Sequence, residues 1–133
     1  MILEIDHIVL TTKNIRAIIE FYTKIMRMKV KTAKNNVNNQ ISYSLHFGHQ
    51  KINLHHYDSP ILPNASKARP GTIDICFISN IALNTWKKKL ASNNIEIIAG
   101  PIQRDGANTL LNSIYIRDPD NNLIEISNRI KGK

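Results

Sequence analysis

The chain has 133 residues and a mass of 15.1 kDa, with 42% hydrophobic and 21% charged residues, which are the proportions of one compact globular domain. No apolar run approaches the roughly 20 residues that a membrane-spanning helix needs. The opening residues carry acids where a secretory signal would carry basic residues, so we expect a cytoplasmic protein. The one cysteine, Cys76, has no partner for an intrachain disulfide, and we expect it to be inert packing.

The formal net charge of +8 is the unusual bulk property, and it raises the question of an anionic partner such as nucleic acid. The lysines are dispersed, however, and their densest cluster, at 87–89, lies on the solvated face of a predicted helix. Neither a helix-turn-helix spacing nor an aromatic RNA-binding signature accompanies them. The sequence therefore disfavours a nucleic-acid partner and gives no sign of a membrane partner.

The first half of the chain predicts four short strands and one helix. IDHIVL (5–10) is typical of a buried strand, and Asn14 is placed to cap the helix that follows. The apolar residues of that helix recur at three- and four-residue steps: Ile15, Ile18, Ile19, Tyr22, Ile25 and Met26. Three strands are predicted next, at 28–33, 41–47 and 51–57, with a tight turn between the last two.

The second half repeats this order after a linker at 58–71, which contains three prolines. IDICFI (73–78) predicts the opening strand, and aligning Asp74 with His7 gives a repeat of 67 residues, about half the chain. The helix that follows has three large apolar residues on one face: Leu83, Trp86 and Leu90.

The remaining strands of the second half are predicted at 95–100, 112–118 and 122–128, and a tight turn joins the last two. The segment 101–111 is predicted to be an irregular loop, long enough for a functional lid. Each half is thus β-α-β-β-β. We predict an α+β fold in one domain, residues 1–133, with modules at 1–57 and 72–130.

Alternation of side chains gives several of these strands one apolar and one polar face. Glu125 raises the sharpest question, because it lies between Ile124 and Ile126, and a buried carboxylate without a partner costs several kcal/mol. Matching Ser44 with Ser113 aligns the two halves so that four polar residues fall at equivalent points: His7, Asn53, Asp74 and Glu125. His55 follows two residues after Asn53 on the same face. Imidazole and carboxylate groups together suit a divalent metal with open positions for substrate.

The chain resembles the vicinal oxygen chelate superfamily, which includes glyoxalase I, fosfomycin-resistance proteins, ring-cleaving dioxygenases and bleomycin-binding proteins. The similarity runs through IDHIVLT, QKINLH, RPGTIDICFI, GPIQRDGA and SIYIRDPDNNLIEISN, and it is greatest to glyoxalase-domain-containing proteins. The motif R-D-P-D-x-N-L-I-E in the last segment is the most specific. The resemblance implies a curled mixed sheet that forms a cup around one divalent metal ion: zinc, nickel, manganese, iron, cobalt or magnesium.

The resemblance also implies that His7 and Glu125 are metal ligands. Asp74 stands where many members have a histidine, and Asn53 stands where glyoxalase I has a glutamate. His55 and Asn53 are both candidates for the fourth coordination position, and the predicted metal set is His7, His55, Asp74 and Glu125. Asn53 and Arg104 are predicted to contact the substrate, the latter by pairing with an anionic group.

The main hypothesis is a divalent-metal-dependent, glyoxalase-like lyase or isomerase. The metal would bind two adjacent oxygens of a small substrate, and Glu125 would transfer a proton. One alternative is an extradiol-type dioxygenase, with iron held by His7, His55 and Glu125. Another is a metal-free protein that binds a drug or metabolite without turnover. A homodimer is expected by family analogy.

Overall fold

A computed structural model describes residues 1–130 of the chain as two compact units, which divide between Thr72 and Ile73. None of the helices in this range is long and apolar enough to cross a membrane. The assignment of residues 1–133 to one domain, and the joining of both sheets into one cup, stay predictions. The last three residues of that span lie outside the described part.

The first unit contains a four-stranded mixed sheet and one helical segment. Its strands are β1 (His7–Thr12), β2 (Lys29–Lys34), β3 (Ile41–Phe47) and β4 (Gln50–His56). They lie in the order β1-β4-β3-β2, with β1 parallel to β4 and the other neighbours antiparallel. Helix α1 (Ile15–Glu20) continues directly into a π-helical turn at Phe21–Ile25.

The helical segment forms where the sequence predicts it. The Asn14 side chain accepts a hydrogen bond from the Ala17 backbone N–H at 3.0 Å, which satisfies one of the donors left free at a helix start. Ile18, Tyr22 and Ile25 of the predicted stripe are buried. Phe21, which the stripe omitted, is buried as well and meets the Tyr22 ring edge-on.

The second unit has the same plan. Its elements are β5 (Asp74–Ile78), α2 (Leu83–Ser92), β6 (Ala99–Asp105), β7 (Leu110–Arg117) and β8 (Leu123–Ile130). The strand order is β5-β8-β7-β6, and again only the first pair is parallel. Leu83, Trp86 and Leu90 are buried, as predicted for the helix. The two β-α-β-β-β modules are confirmed, and both sheets are open.

The predicted strand at 95–100 and the predicted lid at 101–111 are wrong. Strand β6 begins at Ala99 and runs through Pro101, and only 106–109 separate it from β7. Proline is tolerated here because β6 is an edge strand and its register shifts between Ala99 and Ile102. The sequence pattern places the break at Pro101, whereas the sheet accommodates it with a bulge.

The two hairpins that carry the polar faces have different turns. In the first unit Phe47 pairs with Gln50, so Gly48 and His49 alone make the turn, with Gly48 at a φ of +52°. In the second unit Arg117 pairs with Leu123, so five residues intervene.

The longer turn is built around a buried carboxylate. Asp118 is 4% exposed and accepts hydrogen bonds from the backbone N–H groups of Asp120 and Asn122, at 2.9 and 3.0 Å, and from the Asn122 side chain at 2.8 Å. Asn122 Oδ1 in turn accepts from the Ile73 N–H at 2.9 Å, at the entrance of β5. Asp118 and Asn122 of the R-D-P-D-x-N motif therefore have a structural role.

Candidate functional site

The sheet of the first unit has one face toward its core and one polar face. Leu45, Ile52 and Leu54 point to the core and are buried. Cross-strand partners share a face, so the register defines the polar one row by row. Its first row, across all four strands, consists of Lys29, His46, Lys51 and His7. Its second row consists of Lys31, Ser44, Asn53 and Val9.

His7 lies at the edge of the first row with an exposed side chain. Its Nδ1 is 2.8 Å from Asp6 Oδ1, and the side chain is 44% exposed. The hydrogen bond to His7, with its positive charge, lowers the pKa of the Asp6 carboxyl, and Lys51 lowers it further. A carboxylate that holds one imidazole nitrogen directs the other outward, which is the usual support for a metal-binding histidine.

The structure does not bring His55 to His7. His7 pairs with Lys51, whereas His55 pairs with Thr11, four residues further along the parallel strands. That displacement is about 13 Å at the rise of an extended strand, and strand side chains stand roughly perpendicular to the sheet. His55 is half-buried, and burial lowers the pKa of its imidazole, which favours the neutral ring. Asn53 lies between these two levels, next to Val9.

A cleft covers part of this polar face. It has a volume of about 380 Å³, and Ile61 approaches it from the segment that follows β4. Its polar lining comes from β2, β3 and β4 and includes Lys31, Ser44, His46, Lys51, Asn53 and His55. A neighbouring cleft of about 480 Å³ shares His55 and Ile61 and extends to Ile15. Volumes of this size suit small-molecule ligands.

Glu125 lies on the polar face of the second sheet. Its neighbours Ile124 and Ile126 are 0% exposed and point into the core, while Glu125 is half-exposed. Its row across the sheet consists of Ala99, Tyr115, Glu125 and Cys76. The strand therefore has an apolar core face and a polar face, and the carboxylate does not enter the core.

Short polar contacts surround Glu125. Ser127 Oγ donates to Glu125 Oε2 at 3.3 Å, and it also lies 2.6 Å from Ser113 Oγ and 3.3 Å from Cys76 Sγ. Within residues 1–130, Glu125 pairs with no basic side chain. The Ser127 hydroxyl thus links the carboxylate to Ser113 and Cys76, and no basic side chain of the described residues occupies it.

Asp74 and Arg104 occupy the same polar face at different levels. Asp74 is exposed and pairs with Leu123, one side-chain level from Glu125. Arg104 belongs to edge strand β6 and not to a loop, and its Nε donates to the Tyr115 hydroxyl at 3.0 Å. Its guanidinium carbon is also 5.7 Å from the centre of the Tyr115 ring, so the side chain is fixed by stacking as well as by hydrogen bonding.

The two polar faces correspond point by point. His7 and Asp74 occupy matching positions, because their partners Lys51 and Leu123 each stand two residues before Asn53 and Glu125. The predicted match of Ser44 with Ser113 is wrong by two residues, since Ser44 pairs with Asn53 and Tyr115 pairs with Glu125. The face assignments survive because a slip of two residues keeps each side chain on its own side.

Comparison with known proteins agrees with this architecture. The family profile of the Glyoxalase/Bleomycin resistance protein/Dioxygenase superfamily matches residues 4–126. The chain belongs to this superfamily. It is 43% identical over 123 residues to "Virulence protein STM3117" of Salmonella typhimurium, an alignment that covers 92% of this chain and 82% of the relative. The crystal structure of that protein superposes with a TM-score of 0.87, at 40% identity over 98% of this chain and 99% of the other.

A second relative of the same superfamily is "Glyoxalase domain-containing protein RDO1" of Mycosarcoma maydis, which is 37% identical over 92% of this chain and 66% of its own length. Lactoylglutathione lyase from Agrobacterium tumefaciens has the same fold, with a TM-score of 0.67 at 20% identity over 94% of this chain and 92% of its own. TnmS3, an antibiotic-binding protein from Streptomyces, does too, with a TM-score of 0.72 at 11% identity over 97% and 98%. These last two likenesses concern the fold alone.

The chain has the types of side chain that could bind a metal ion. An imidazole supported by a carboxylate and two carboxylates on a polar face are ligands that divalent transition metals accept. Within the described residues 1–130, however, no group of three or more His, Cys, Asp or Glu side chains lies close enough to hold an ion. The first unit contributes His7 and the second contributes Asp74 and Glu125, and His55 lies apart from His7.

The prediction that Cys76 is inert packing is wrong. Cys76 is exposed beside Glu125, and it is not buried packing. Desolvation raises the pKa of its thiol, and the negative charges of Glu125 and Asp74 raise it further. The alternation of strand β5 contained the signal, because Cys76 shares a face with Asp74 and not with buried Phe77.

Proposed function

We propose that this superfamily member is a divalent-metal-dependent, glyoxalase-like enzyme of the lyase or isomerase type, which acts on a small substrate through two adjacent oxygens. One observation carries the proposal. The matching registers put His7 and Asp74 at one point of the repeat and Asn53 and Glu125 at the next, all on polar faces. These ligand-type side chains stand at repeated positions and lie on the faces opposite the hydrophobic cores.

In this proposal His7, Asp74 and Glu125 hold the metal. The Asp6–His7 hydrogen bond of 2.8 Å supports the imidazole as a ligand, which is the reason for preferring His7 to His55. The bound ion supplies Lewis-acid stabilisation of negative charge on the substrate oxygens. Asn53, whose amide carries no charge, contributes hydrogen bonds to the substrate instead of a fourth charged ligand.

Glu125 moves the proton. Its Oε2 is oriented by Ser127, and the Tyr115 hydroxyl stands in the same row, fixed by Arg104. A carboxylate with one oriented oxygen takes a proton from carbon α to a carbonyl and returns it to the neighbouring atom. Such a transfer gives an isomerase or lyase outcome without any change in oxidation state of the protein.

Metal content is the direct test. Elemental analysis of protein purified without chelator should show one divalent ion per chain, and His7→Ala and Glu125→Gln should each weaken binding by at least about 100-fold, because a primary ligand counts for more than its supporting partner. His49→Ala and Glu96→Gln, which change an exposed turn histidine and an exposed glutamate, serve as matched controls.

Two results contradict the proposal. One is wild-type protein that binds none of zinc, nickel, manganese, iron, cobalt or magnesium after incubation with each. The other is unchanged metal affinity in both His7→Ala and Glu125→Gln. If metal binds but a glutathione hemithioacetal is not turned over, that substrate class is removed and the metal assignment stands.

A second candidate function is binding of a small molecule without turnover. It is favoured by the lack of a three-ligand group in the described range and by the clefts of about 380 and 480 Å³ in the first unit. It predicts ligand binding by calorimetry without product formation. The β1–β4 register argues against the dioxygenase hypothesis, because it separates His7 from His55, the two histidines that would hold the iron. The predicted homodimer is testable by light scattering.

A further inference from the structure

We propose that the polar face of the first sheet binds an oxyanion group of a small molecule, a phosphate, phosphonate or carboxylate, between Lys31 and Lys51. The inference rests on the proposed function only in calling that molecule the substrate. The binding site itself belongs to the first unit, and it lies in the cleft of about 380 Å³.

The local charge is strongly one-sided. Residues 21–57 contain five lysines and one arginine but no aspartate or glutamate. Three of those lysines, Lys29, Lys31 and Lys51, fall on the polar face by register, and the last two line the cleft. Lys29 and Lys31 lie two residues apart on β2, and Lys51 lies two strands away on β4, about 10 Å across the sheet, so an anion between the two strands faces positive charge from both sides.

His46 lies where it is exposed to the positive charge of these lysines. It lies directly between Lys29 and Lys51 in the first row, and Lys31 stands one level away. Burial lowers the pKa of His46, and the charges of Lys31 and Lys51 lower it further. Asp6, which is exposed and bonded to His7, also interacts electrostatically with Lys51.

Neutral donors complete the site. Ser44 and Asn53 lie in the second row between Lys31 and β1, and both line the cleft. The Ser44 hydroxyl is 2.8 Å from His46 Nε2, which places it on the cleft side of its strand. Two ammonium groups, an amide N–H₂ and a hydroxyl together form the donor set that a tetrahedral or planar oxyanion accepts.

The test is a titration of full-length, chelator-treated protein with inorganic phosphate, against chloride at equal ionic strength, followed by NMR. Removing the metal ensures that phosphate does not bind to an ion. Wild-type protein should show a saturable shift of the His46 imidazole signals. The double variant K31Q/K51Q should bind phosphate at least about tenfold more weakly, since it loses two charge-assisted hydrogen bonds.

The control variant K24Q/K88Q loses the same net charge from exposed lysines on helical segments, and its affinity should stay within about twofold of wild type. K31R/K51R, which retains the charge, should retain binding. Equal losses in K31Q/K51Q and K24Q/K88Q would overturn the site in favour of general attraction to a basic protein. Unmoved His46 signals at saturating phosphate would overturn it as well.

Acetate in place of phosphate tells whether the site prefers a carboxylate or a phosphate group, and binding of either supports the proposal.

Metal content separates this inference from the proposed function. K31Q/K51Q should retain the wild-type metal content, because the proposed metal ligands are unchanged in this variant. If the protein binds phosphate but no metal, the anion site is supported and the proposed metal enzyme is contradicted. If it binds metal but neither phosphate nor acetate, the anion site is contradicted and the metal proposal is unaffected.

Discussion

The two units share strand order and register, yet the matching central rows of their polar faces carry different chemical groups. The central row of the first sheet consists of Lys31, Ser44, Asn53 and Val9, and the corresponding row of the second consists of Ala99, Tyr115, Glu125 and Cys76. The row in the first sheet has one lysine and no acid, whereas the row in the second has one carboxylate and no basic residue. Desolvation lowers the pKa of His46, and the positive neighbours Lys31 and Lys51 lower it further, whereas desolvation raises the pKa of Cys76 and the negative neighbours Glu125 and Asp74 raise it further.

This difference shows which part of the repeat is constrained. Register is fixed by the apolar face, because a one-residue slip would expose Leu45 and Ile52 in one sheet or Ile124 and Ile126 in the other. The polar face carries no such constraint and can acquire different functional groups in each half. Substitutions in the two units can therefore be compared in pairs, and each pair should contain one change with a much larger effect than the other.

The largest effect is expected in the core of the second sheet. Ile126→Ala removes a fully buried side chain from central strand β8 and should lower the free energy of unfolding by about 3–4 kcal/mol. Val30→Ala, on the exposed edge strand β2, should cost less than about 1 kcal/mol. Urea unfolding followed by far-UV circular dichroism measures both units, and the fluorescence of Trp86, the one tryptophan, measures the second unit separately. Similar losses for both variants would mean that the sheets do not differ in burial as described.

The next effect concerns the two hairpin turns. Asp118→Ala leaves three donors of the longer turn without their buried acceptor, and it should cost about 3 kcal/mol. His49→Ala in the two-residue turn of the first unit should be nearly neutral, because His49 is exposed. Chemical denaturation of both variants measures the difference. A neutral Asp118→Ala would refute the structural role assigned to this part of the motif.

Local signals in the sequence were sufficient for much of the fold. Asn14 and the apolar residues after it predicted α1, because the cap and the Ala17 N–H that it accepts are only three residues apart. Strand β3 was predicted at its observed limits, since alternation and the glycine of the following turn both mark it. These features depend on neighbours in the chain, and a single sequence contains them.

Features that depend on distant partners could not be predicted in the same way. Pro101 looks like a strand terminator, and only its place at a sheet edge makes β6 possible. Alternation placed Glu125, Asp74 and His7 on polar faces, but the separation of His55 from His7 follows from the β1–β4 register. The roles of Asp118 and Asn122 required knowledge that the turn folds over its own carboxylate.

The start of α2 gives a third comparison. Its first residue, Leu83, donates its N–H to Asn128 Oδ1 at 3.0 Å, and the Asn128 amide donates to the carbonyls of Ser79 and Ile81. A residue of β8 thus performs for α2 what Asn14 performs locally for α1. Asn128→Ala should cost about 2 kcal/mol, because three bonds are lost, whereas Asn14→Ala should cost about 1 kcal/mol. Equal costs in thermal or urea unfolding would contradict this difference.

The smallest effect tests the charge difference itself. Lys51→Gln and Lys31→Gln should each raise the pKa of His46, as followed by NMR, because each removes a positive charge that opposes protonation of the imidazole. Lys24→Gln, whose partner is Glu20 on the helical segment, is the control and should leave the pKa of His46 unchanged.

Because the folded-state pKa of His46 lies below the unfolded value of about 6.5, the unfolded chain binds more protons as the pH falls through that value, and stability declines. Both lysine variants should weaken this decline. If neither variant moves the His46 titration, the lysines do not set the potential of the first face, and the electrostatic distinction between the two sheets fails.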